Sequence, residues 1–267
     1  MKQLEPVRNP QIILSFDFDG TLHDPAGSPT VSPDFFSILK ELRESRGAVW
    51  GINTGRSIPH VMEGLLDNGF PFLPDWVVAR EREIWMPNQV GRWIAHEPWN
   101  GDCARELEEF FVSVKSTLDA IRAEVEEHTG ATWVEVPGDP AGLVARTEEE
   151  MAWIMSRVIH LTADEPFLGW QRNSVWLRFG HKKYQKGSAL GEVARHFGLT
   201  AADCFAIGDS HNDFEMLSLQ AAARVACPAN AVPEVRAHVK ALGGYECENG
   251  HSHGCVEALG HYFPAVG

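Results

Sequence analysis

The chain has 267 residues, of which 44% are hydrophobic and 22% charged, and its formal net charge at pH 7 is −14. This length is near the upper limit for one hydrophobic core and predicts a large domain with a smaller one inserted. The acidic balance excludes a typical nucleic-acid-binding surface, which needs clustered Lys and Arg. No apolar run approaches about 18 residues and residues 1–11 are polar, so we predict neither a membrane span nor a signal peptide, and expect a cytoplasmic protein.

An apolar strand followed by two acidic residues is the first informative feature. Residues 12–16 predict a strand buried on both faces, as in a parallel sheet covered by helices. Asp17 and Asp19 follow, and both carboxylates point to one side because side chains alternate along an extended chain. Such a pair needs a neutralising cation, or one member stays protonated for acid/base chemistry. Gly20 permits a sharp turn, and the Thr21 hydroxyl can hydrogen-bond into the same loop.

A second strand ends on polar residues of another kind. A helix is predicted from Ser32-Pro33-Asp34 to Gly47, and residues 48–52 then predict a short buried strand that runs into Asn53-Thr54-Gly55-Arg56-Ser57. A hydroxyl and a flexible backbone at the carboxyl end of a strand, before a helix, indicate an anion site of an open α/β sheet. The alternative explanation is a helix N-cap with an exposed arginine. A helix at 58–68 and a third strand at 76–79 follow.

From about residue 84 the alternation of strands and helices changes to pairs of strands. The predicted elements are a hairpin at 84–86 and 92–96, a long helix over 107–125, strands at 132–136 and 143–146 around a turn that starts at Pro137, a helix at 147–160, and a hairpin at 167–171 and 174–179 that turns at Arg172-Asn173. The order ββαββαββ predicts an antiparallel sheet with helices on one face, inserted between two halves of an α/β domain.

Two further polar stretches follow the insertion. Lys186-Gly187-Ser188-Ala189-Leu190 opens a helix, although for an arbitrary lysine a solvated helix end is the usual explanation. Residues 202–207 predict a fourth apolar strand, which ends at Gly208-Asp209-Ser210-His211-Asn212-Asp213. A fifth strand is predicted at 224–226, and a last helix at 254–263.

These four polar stretches resemble, in order, the four motifs of the haloacid dehalogenase superfamily: Asp17-Phe18-Asp19-Gly20-Thr21, Thr54-Gly55-Arg56, Lys186-Gly187-Ser188-Ala189-Leu190 and Gly208–Asp213. The Thr-Gly-Arg form and the insertion are similar to the Cof-type branch with a C2B cap. The resemblance implies a Rossmann-like α/β core, with a mostly parallel sheet flanked by helices, formed by residues 1–79 and 184–267. It implies an α+β cap at 80–183. Relatives usually carry Asn-Gly after the third strand, where this chain has Arg80-Glu81, and that departure bears on the substrate.

The resemblance also implies roles for individual residues. In the family pattern Asp17 attacks a phosphoryl group to form an aspartyl-phosphate, and Asp19 is the general acid and base. The phosphoryl oxygens would be bound by Thr54, Gly55, Lys186 and Asn212. Mg²⁺ would be held by Asp17, Asp19, Asp209 and Asp213, with Asp213 in or near the ligand shell and orienting it.

The function implied is therefore that of a Mg²⁺-dependent phosphatase of small phosphorylated metabolites, especially sugar phosphates. A phosphomutase of hexose phosphates is an alternative, as is a non-catalytic protein that binds a metabolite in the same pocket. A third alternative is a protein-interaction module in the insertion, suggested only by its tryptophans. We expect a small phosphorylated molecule as the partner, no nucleic acid or membrane, and a monomer or homodimer.

The insertion is predicted to be a mobile lid that selects the substrate, because all four motif-like stretches lie outside it. Candidate specificity residues are Arg172, in the predicted hairpin turn, and Trp170, Arg178 and His181 near it. A solvated turn is the alternative explanation of Arg172-Asn173.

The cysteines are the last feature that the sequence offers. Five residues at irregular spacing indicate reduced thiols rather than a disulfide framework. Near the carboxyl end, Cys247, His251, His253 and Cys255 are ligand types that zinc accepts, whereas a glycine-rich loop before the last helix is the alternative.

Overall fold

The computed structural model describes residues 1–136 and 138–264, so Pro137, the first residue of a predicted turn, lies outside it. The chain divides into two compact units. We call the first the core unit, Met1–Asn100 with Lys186–Gly267, and the second the inserted unit, Gly101–Gln185.

The strands are β1 Ile12–Phe16, β2 Ala48–Asn53, β3 Trp76–Ala79, β4 Glu83–Pro87, β5 Trp93–Ala95, β6 Thr132–Val136, β7 Asp139–Val144, β8 Leu168–Asn173, β9 Trp176–His181, β10 Cys204–Ile207, β11 Arg224–Cys227 and β12 Tyr245–Glu246. The helices are α1 Pro33–Arg46, α2 Ile58–Asp67, α3 Trp99–Ser113, α4 Lys115–His128, α5 Glu148–Leu161, α6 Lys186–His196, α7 Pro233–Ala241 and α8 His251–Tyr262. Short 3₁₀ helices cover Ala201–Asp203 and His211–Asp213. Within these described residues, none of the helices is long and apolar enough to cross a membrane.

The core unit is built on an eight-stranded sheet in the order β12-β11-β10-β1-β2-β3-β4-β5. The pairings from β12 through β3 are parallel, and β4 and β5 add an antiparallel edge. The predicted α/β class, with a mostly parallel sheet between helices, is confirmed. Strand β1 lies between β2 and β10, in the middle of the sheet.

The apolar residues of β1 explain why this strand is central. Leu14 and Phe16 pack into the core on one face, where the ring of Phe16 meets Phe35 of α1 edge-on at 5.0 Å. Ile13 packs into the core on the opposite face, with Leu190 of α6. Because both faces are covered, only the ends of β1 reach solvent, and its carboxyl end meets those of β2 and β10 at one edge of the sheet.

The inserted unit has a four-stranded sheet in the order β6-β7-β9-β8, antiparallel throughout. Helices α4 and α5 pack against each other and share a core with one face of this sheet. That core contains Ile121 and Val125 of α4, Ile154 of α5, and Leu143 and Phe179 of the strands. The α+β character predicted for the insertion follows directly from these apolar positions at helix and strand spacing.

Four features of the insertion differ from the sequence predictions. The hairpin of β4 and β5 continues the core sheet, because the chain turns tightly after β3 and pairs with it directly. The predicted insertion starts at residue 80, whereas the second compact unit starts at Gly101. The predicted long helix is interrupted at Val114 into α3 and α4. Arg172 and Asn173 lie within β8, and the turn falls at Ser174, which has φ 50°.

Candidate active site

A buried lysine joins two of the predicted site residues in the core unit. Lys186, the first residue of α6, is completely buried. Its Nζ donates to Oδ1 of Asp17 at 2.7 Å and to Oδ1 of Asp213 at 2.6 Å. Burial lowers the pKa of the ammonium, but the attraction of Asp17 and Asp213 outweighs it and raises the pKa of Lys186 overall. The solvated helix-end lysine is therefore excluded, and Lys186 is a charged part of the site.

The loop after β10 is held by Asp213. Its Oδ2 accepts the backbone N–H groups of Asp209 at 2.9 Å and of Ser210 at 3.0 Å, so the carboxylate closes a short 3₁₀ turn. With Lys186 on Oδ1, both oxygens of Asp213 have hydrogen-bond partners. This residue is also completely buried, so it fixes the backbone of the loop that carries Asp209.

Asp209 faces the loop after β1. The hydroxyl of Thr21 donates to its Oδ1 at 2.6 Å. A side chain on Gly20, which has φ 84°, would place its Cβ 2.4 Å from Oδ2 of Asp209, so only glycine lets the two loops approach this closely. The sequence suggested a local role for Thr21, whereas in the structure its partner is Asp209, in the loop after β10.

Asp19 is held by an arginine of the second polar stretch. The Nε of Arg56 donates to Oδ2 of Asp19 at 2.7 Å and Nη2 donates to Oδ1 at 2.6 Å, a bidentate pair. The same guanidinium lies over the ring of Phe18 at 4.7 Å from its centroid. Arg56 is therefore paired with Asp19 and is not the freely exposed arginine of the N-cap explanation. Sequence reasoning missed this role for Arg56.

The remaining predicted phosphate-binding residues lie around Glu81, in the turn after β3. The Nδ2 of Asn212 donates to Oε1 of Glu81 at 2.7 Å, and the backbone N–H of Glu81 donates to the carbonyl of Thr54 at 2.8 Å. A Cβ placed on Gly55 would lie 3.4 Å from Oε1 of Glu81. Thr54, Gly55 and Asn212 therefore lie around one buried glutamate, Glu81, whose contacts the sequence analysis did not predict.

The acidic residues could hold a metal ion. Oxygens of Asp17, Asp209 and Asp213 lie within 4.8 Å of one another, and no other such group occurs among residues 1–136 and 138–264. The donors are all carboxylate oxygens, which hard cations prefer. One lysine contacts two of the three carboxylates, so negative charge remains in excess at this place. The residues fit a divalent cation such as Mg²⁺.

The crowding changes the acidity of these carboxyls. Burial raises the pKa of Asp17 well above its ordinary value, against the opposing attraction of Lys186. Burial and the repulsion of Asp213 raise the pKa of Asp209 from 3.8 to about 7. Each proton that the folded protein holds is one that a bound cation would displace.

We therefore predict that the metal-free protein loses stability as the pH rises from about 4 to about 7. In that range folded Asp209 still holds a proton that the unfolded chain has released, so the folded state is favoured by acid. The melting temperature in a chelator should be lower at about pH 8 than at about pH 5, and Asp209→Asn should reduce that difference. Equal pH dependence in the wild type and the variant would contradict this prediction.

The four candidate specificity residues lie in the inserted unit and have partners there. Arg172 donates from Nη2 to Glu148 at 2.5 Å and from Nε to the carbonyl of Ser174 at 3.1 Å. Trp170 pairs with Phe179, whose side chain is in the core, so both lie on the helix-covered face. Arg172 and His181 share that face by the alternation of β8 and β9.

Arg178 differs from the other three. It follows Leu177, which is buried in the core of the inserted unit, so its side chain lies on the opposite face of the sheet. Trp176 lies on that same face and is 58% exposed. The Nε of Arg178 is 3.5 Å from Oδ1 of Asp139.

The candidate zinc ligands near the carboxyl end are not gathered into a site. Cys247 donates to the carbonyl of Gly254, and Cys255 to that of Thr21. Burial raises the pKa of both thiols, and the one cluster of possible metal ligands among residues 1–136 and 138–264 does not include them. All five cysteines are free and buried, as expected for reduced thiols.

Comparison with known proteins gives partial sequence matches and a full-length structural match. Residues 143–254 match the family model of haloacid dehalogenase-like hydrolases. An HMP-PP phosphatase of Cronobacter sakazakii is 39% identical over 80 residues, which are 29% of this chain and 25% of that protein. A phosphoglycolate phosphatase of Methanoculleus marisnigri is 37% identical over 79 residues, 30% of this chain and 31% of that protein. Each match thus spans less than a third of the relative's own length.

The structural match covers both units. The sucrose-phosphatase of Synechocystis sp. PCC6803, solved in complex with sucrose and phosphate, has a TM-score of 0.72 with 18% sequence identity, over 95% of this chain and 98% of that one. At this identity the likeness concerns the fold.

Proposed function

We propose that this chain, a haloacid dehalogenase-like hydrolase by its family match and fold, is a phosphatase that hydrolyses small phosphorylated metabolites, sugar phosphates in particular. The observation that carries the proposal is the buried arrangement in which Lys186 contacts both Asp17 and Asp213, beside Asp209. Phosphoryl transfer needs a positioned nucleophile and positive charge near the phosphoryl oxygens more than it needs other covalent chemistry. Relatives that match parts of the chain are phosphatases by name.

In the proposed reaction Asp17 is the nucleophile. Lys186 binds Oδ1 of Asp17, which fixes the side chain and leaves the other oxygen for attack on phosphorus. The bond from phosphorus to the leaving oxygen breaks as the bond to Asp17 forms. Water then attacks the phosphorus of the aspartyl-phosphate, the bond between phosphorus and Asp17 breaks, the Asp17 carboxylate is regenerated and inorganic phosphate is released.

Asp19 is the proposed acid and base. It would protonate the leaving oxygen and then remove a proton from the attacking water. Both of its oxygens accept hydrogen bonds from Arg56, so Asp19 must release at least one of them before it can reach the reacting groups. Its side chain is 43% exposed, which leaves room for that rotation.

Mg²⁺ is the proposed cofactor. When bound, it supplies the positive charge that neutralises the phosphoryl oxygens in the transition state. The residues that would hold it are Asp17 and Asp209, through their carboxylates, and Asp19, through its backbone carbonyl. Asp213 already binds Lys186 and two backbone N–H groups, so we propose that it orients this site.

The metal requirement leads to a graded prediction. Exhaustive chelation should abolish turnover, and Mg²⁺ should restore it. Asp209→Asn should weaken the affinity for Mg²⁺ most, whereas Asp213→Asn should weaken it on the order of 10–100-fold, the usual effect of an orienting group. The affinity is read both from activity and from the rise in melting temperature that Mg²⁺ produces. Activity that survives chelation would show that no metal is needed.

We also propose that the inserted unit selects the substrate. Support comes from the location of the site, since the acidic cluster, Lys186 and Asn212 all lie in the core unit. Of the four candidates we prefer Arg178. It lies on the face of the sheet that α4 and α5 do not cover, so its side chain is not directed into the core of the inserted unit.

The proposed function is tested by incubating the purified protein with Mg²⁺ and a panel of phosphorylated sugars, nucleotides, small acids and p-nitrophenyl phosphate. The expected result is release of inorganic phosphate, fastest from a sugar phosphate. Formation of an isomeric sugar phosphate without free phosphate would indicate a phosphomutase. No turnover of any compound would contradict an enzymatic function of this site.

A further inference from the structure

The turn between β3 and β4 has an unusual backbone. Arg80 and Glu81 are consecutive residues with φ of 49° and 66°, and the N–H of Arg82 donates to the carbonyl of Ala79 at 3.1 Å across them. Positive φ at both central positions is the pattern of a type I′ turn, which strongly favours Asn-Gly. A side chain on Cβ makes this conformation unfavourable, and such strain persists where surrounding contacts require it. Glutamate at the second position therefore needs an explanation.

The explanation lies in what the side chain of Glu81 contacts. It is 4% exposed, although a glutamate in a tight turn is ordinarily solvated. Its Oε1 accepts the Nδ2–H of Asn212, which is 131 positions away in the sequence. The same oxygen lies against Gly55, and the backbone N–H of Glu81 binds the carbonyl of Thr54. One residue thus touches three of the proposed phosphate-binding residues.

Asn212 depends on this contact for its orientation. Its Oδ1 is buried and has no hydrogen-bond partner, so the carboxamide is oriented from its Nδ2 side. A carboxylate accepts only hydrogen bonds, so it binds the NH₂ group of the amide and rejects its oxygen. Rotation of the carboxamide by half a turn would point Oδ1 at the carboxylate of Glu81. Oδ1 would then take the place of Nδ2 next to a bound anionic ligand. Glu81 prevents that rotation and leaves the second Nδ2–H available as a donor.

We propose that Glu81 is a positioning residue, which keeps the Asn212 carboxamide oriented to donate to the phosphoryl group. This inference rests on the phosphate site of the proposed function. It explains why the turn keeps a strained glutamate at its second central position, where glycine would be more stable. It also explains why a fifth carboxylate lies beside an anion site: Glu81 acts through the amide and does not meet the phosphoryl group itself.

The test measures the affinity for inorganic phosphate in Mg²⁺ by calorimetry, for the wild type and for Glu81→Gly, Asn212→Ala and the double variant. Glu81→Gly should weaken phosphate binding about tenfold, the effect of one lost hydrogen bond to a charged ligand. The double variant should bind no more weakly than Asn212→Ala alone, because Glu81 acts through Asn212. Additive losses, or no loss in Glu81→Gly, would overturn the inference.

Two further variants separate positioning from strain. Arg80→Gly relieves the same backbone strain one residue earlier, so it should raise the melting temperature and leave phosphate affinity unchanged. Glu81→Gly should raise the melting temperature similarly while phosphate affinity falls. Glu81→Gln keeps the backbone strain but can donate as well as accept, so it no longer rejects Oδ1 of Asn212 and should lose part of the affinity. Parallel loss of affinity in Arg80→Gly would show that the turn, rather than the carboxylate, matters.

Binding and turnover distinguish failure of this inference from failure of the proposed function. A wild-type protein that binds phosphate but hydrolyses no ester would contradict the phosphatase, while the coupling of Glu81 to Asn212 would still be measured. A wild-type protein that hydrolyses esters, but shows no coupling, would contradict only the role of Glu81. Absence of phosphate binding in the wild type would overturn the inference.

Discussion

Replacing Asp17 with Asn is expected to lower turnover on the order of 10⁴–10⁶-fold, the range seen when a covalent nucleophile is removed. Asparagine keeps the size of the side chain and an oxygen that can accept from Lys186, but it lacks the charge needed for attack. Stability should be unchanged or higher, because burial raises the pKa of Asp17 and the folded state therefore disfavours its charged form. Turnover of a good substrate and the melting temperature are the two measurements.

Measuring both turnover and melting temperature distinguishes a loss of catalysis from a loss of folding. Asp34→Asn, in the exposed first turn of α1, serves as the matched control and should keep full activity. Retention of more than about 1% of wild-type turnover by Asp17→Asn would exclude Asp17 as the nucleophile, given the size of the expected loss. An inactive variant with a collapsed melting temperature would instead mean that Asp17 supports the fold.

Of the substitutions proposed for this protein, Lys186→Met should cause the largest loss of stability. The lysine is completely buried, and its removal leaves the carboxylates of Asp17 and Asp213 buried without their counter-charge. Breaking a buried ion pair in this way costs about 3–5 kcal/mol of unfolding free energy. Phosphate affinity and turnover should fall as well, because Lys186 is the proposed cation at the phosphoryl group. Denaturant unfolding measures the first effect, and calorimetry with phosphate measures the second.

A second substitution and a surface control make the result specific. Adding Asp213→Asn to Lys186→Met should recover part of the stability, because it removes one of the two uncompensated charges. Lys240→Met, at a lysine whose side chain is 78% exposed, should change stability by only about 0.5 kcal/mol or less. If Lys186→Met is no more destabilising than Lys240→Met, the lysine does not hold the carboxylates together.

The sequence predicts the centre of the fold better than its edges. Strand β1 is recognisable because a continuous apolar run between polar segments suits a strand covered on both faces. The hairpin of β4 and β5 is also recognisable as a hairpin. Which sheet it joins, however, depends on the tight turn after β3, where Arg80 and Glu81 are not typical turn residues. The turn after β8 was misplaced for a similar reason. Asparagine tolerates positive φ and so suggested a turn at Asn173, but it is Ser174 that adopts positive φ.

Motif spacing brings together part of the site and misses what depends on distant contacts. Asp17, Lys186 and Asp213 were predicted to belong to one site, and in the structure Lys186 contacts both carboxylates. The pairing of Arg56 with Asp19 and that of Glu81 with Asn212 were not predicted, because each joins two loops that sequence alone does not place side by side. One signal for Glu81 was available: it occupies the place of an expected Asn-Gly turn, where a non-glycine residue is strained.

The central claim is that Asp17 becomes phosphorylated during turnover, and chemical trapping tests it most directly. The protein is mixed with its best substrate and Mg²⁺, quenched in acid during the first turnover, reduced with borohydride and analysed by peptide mass spectrometry. An aspartyl-phosphate is reduced to homoserine, so the peptide containing Asp17 should carry homoserine at that position, and Asp17→Asn should yield none. Efficient turnover without homoserine at position 17, or with homoserine in place of another aspartate, would contradict the proposed mechanism.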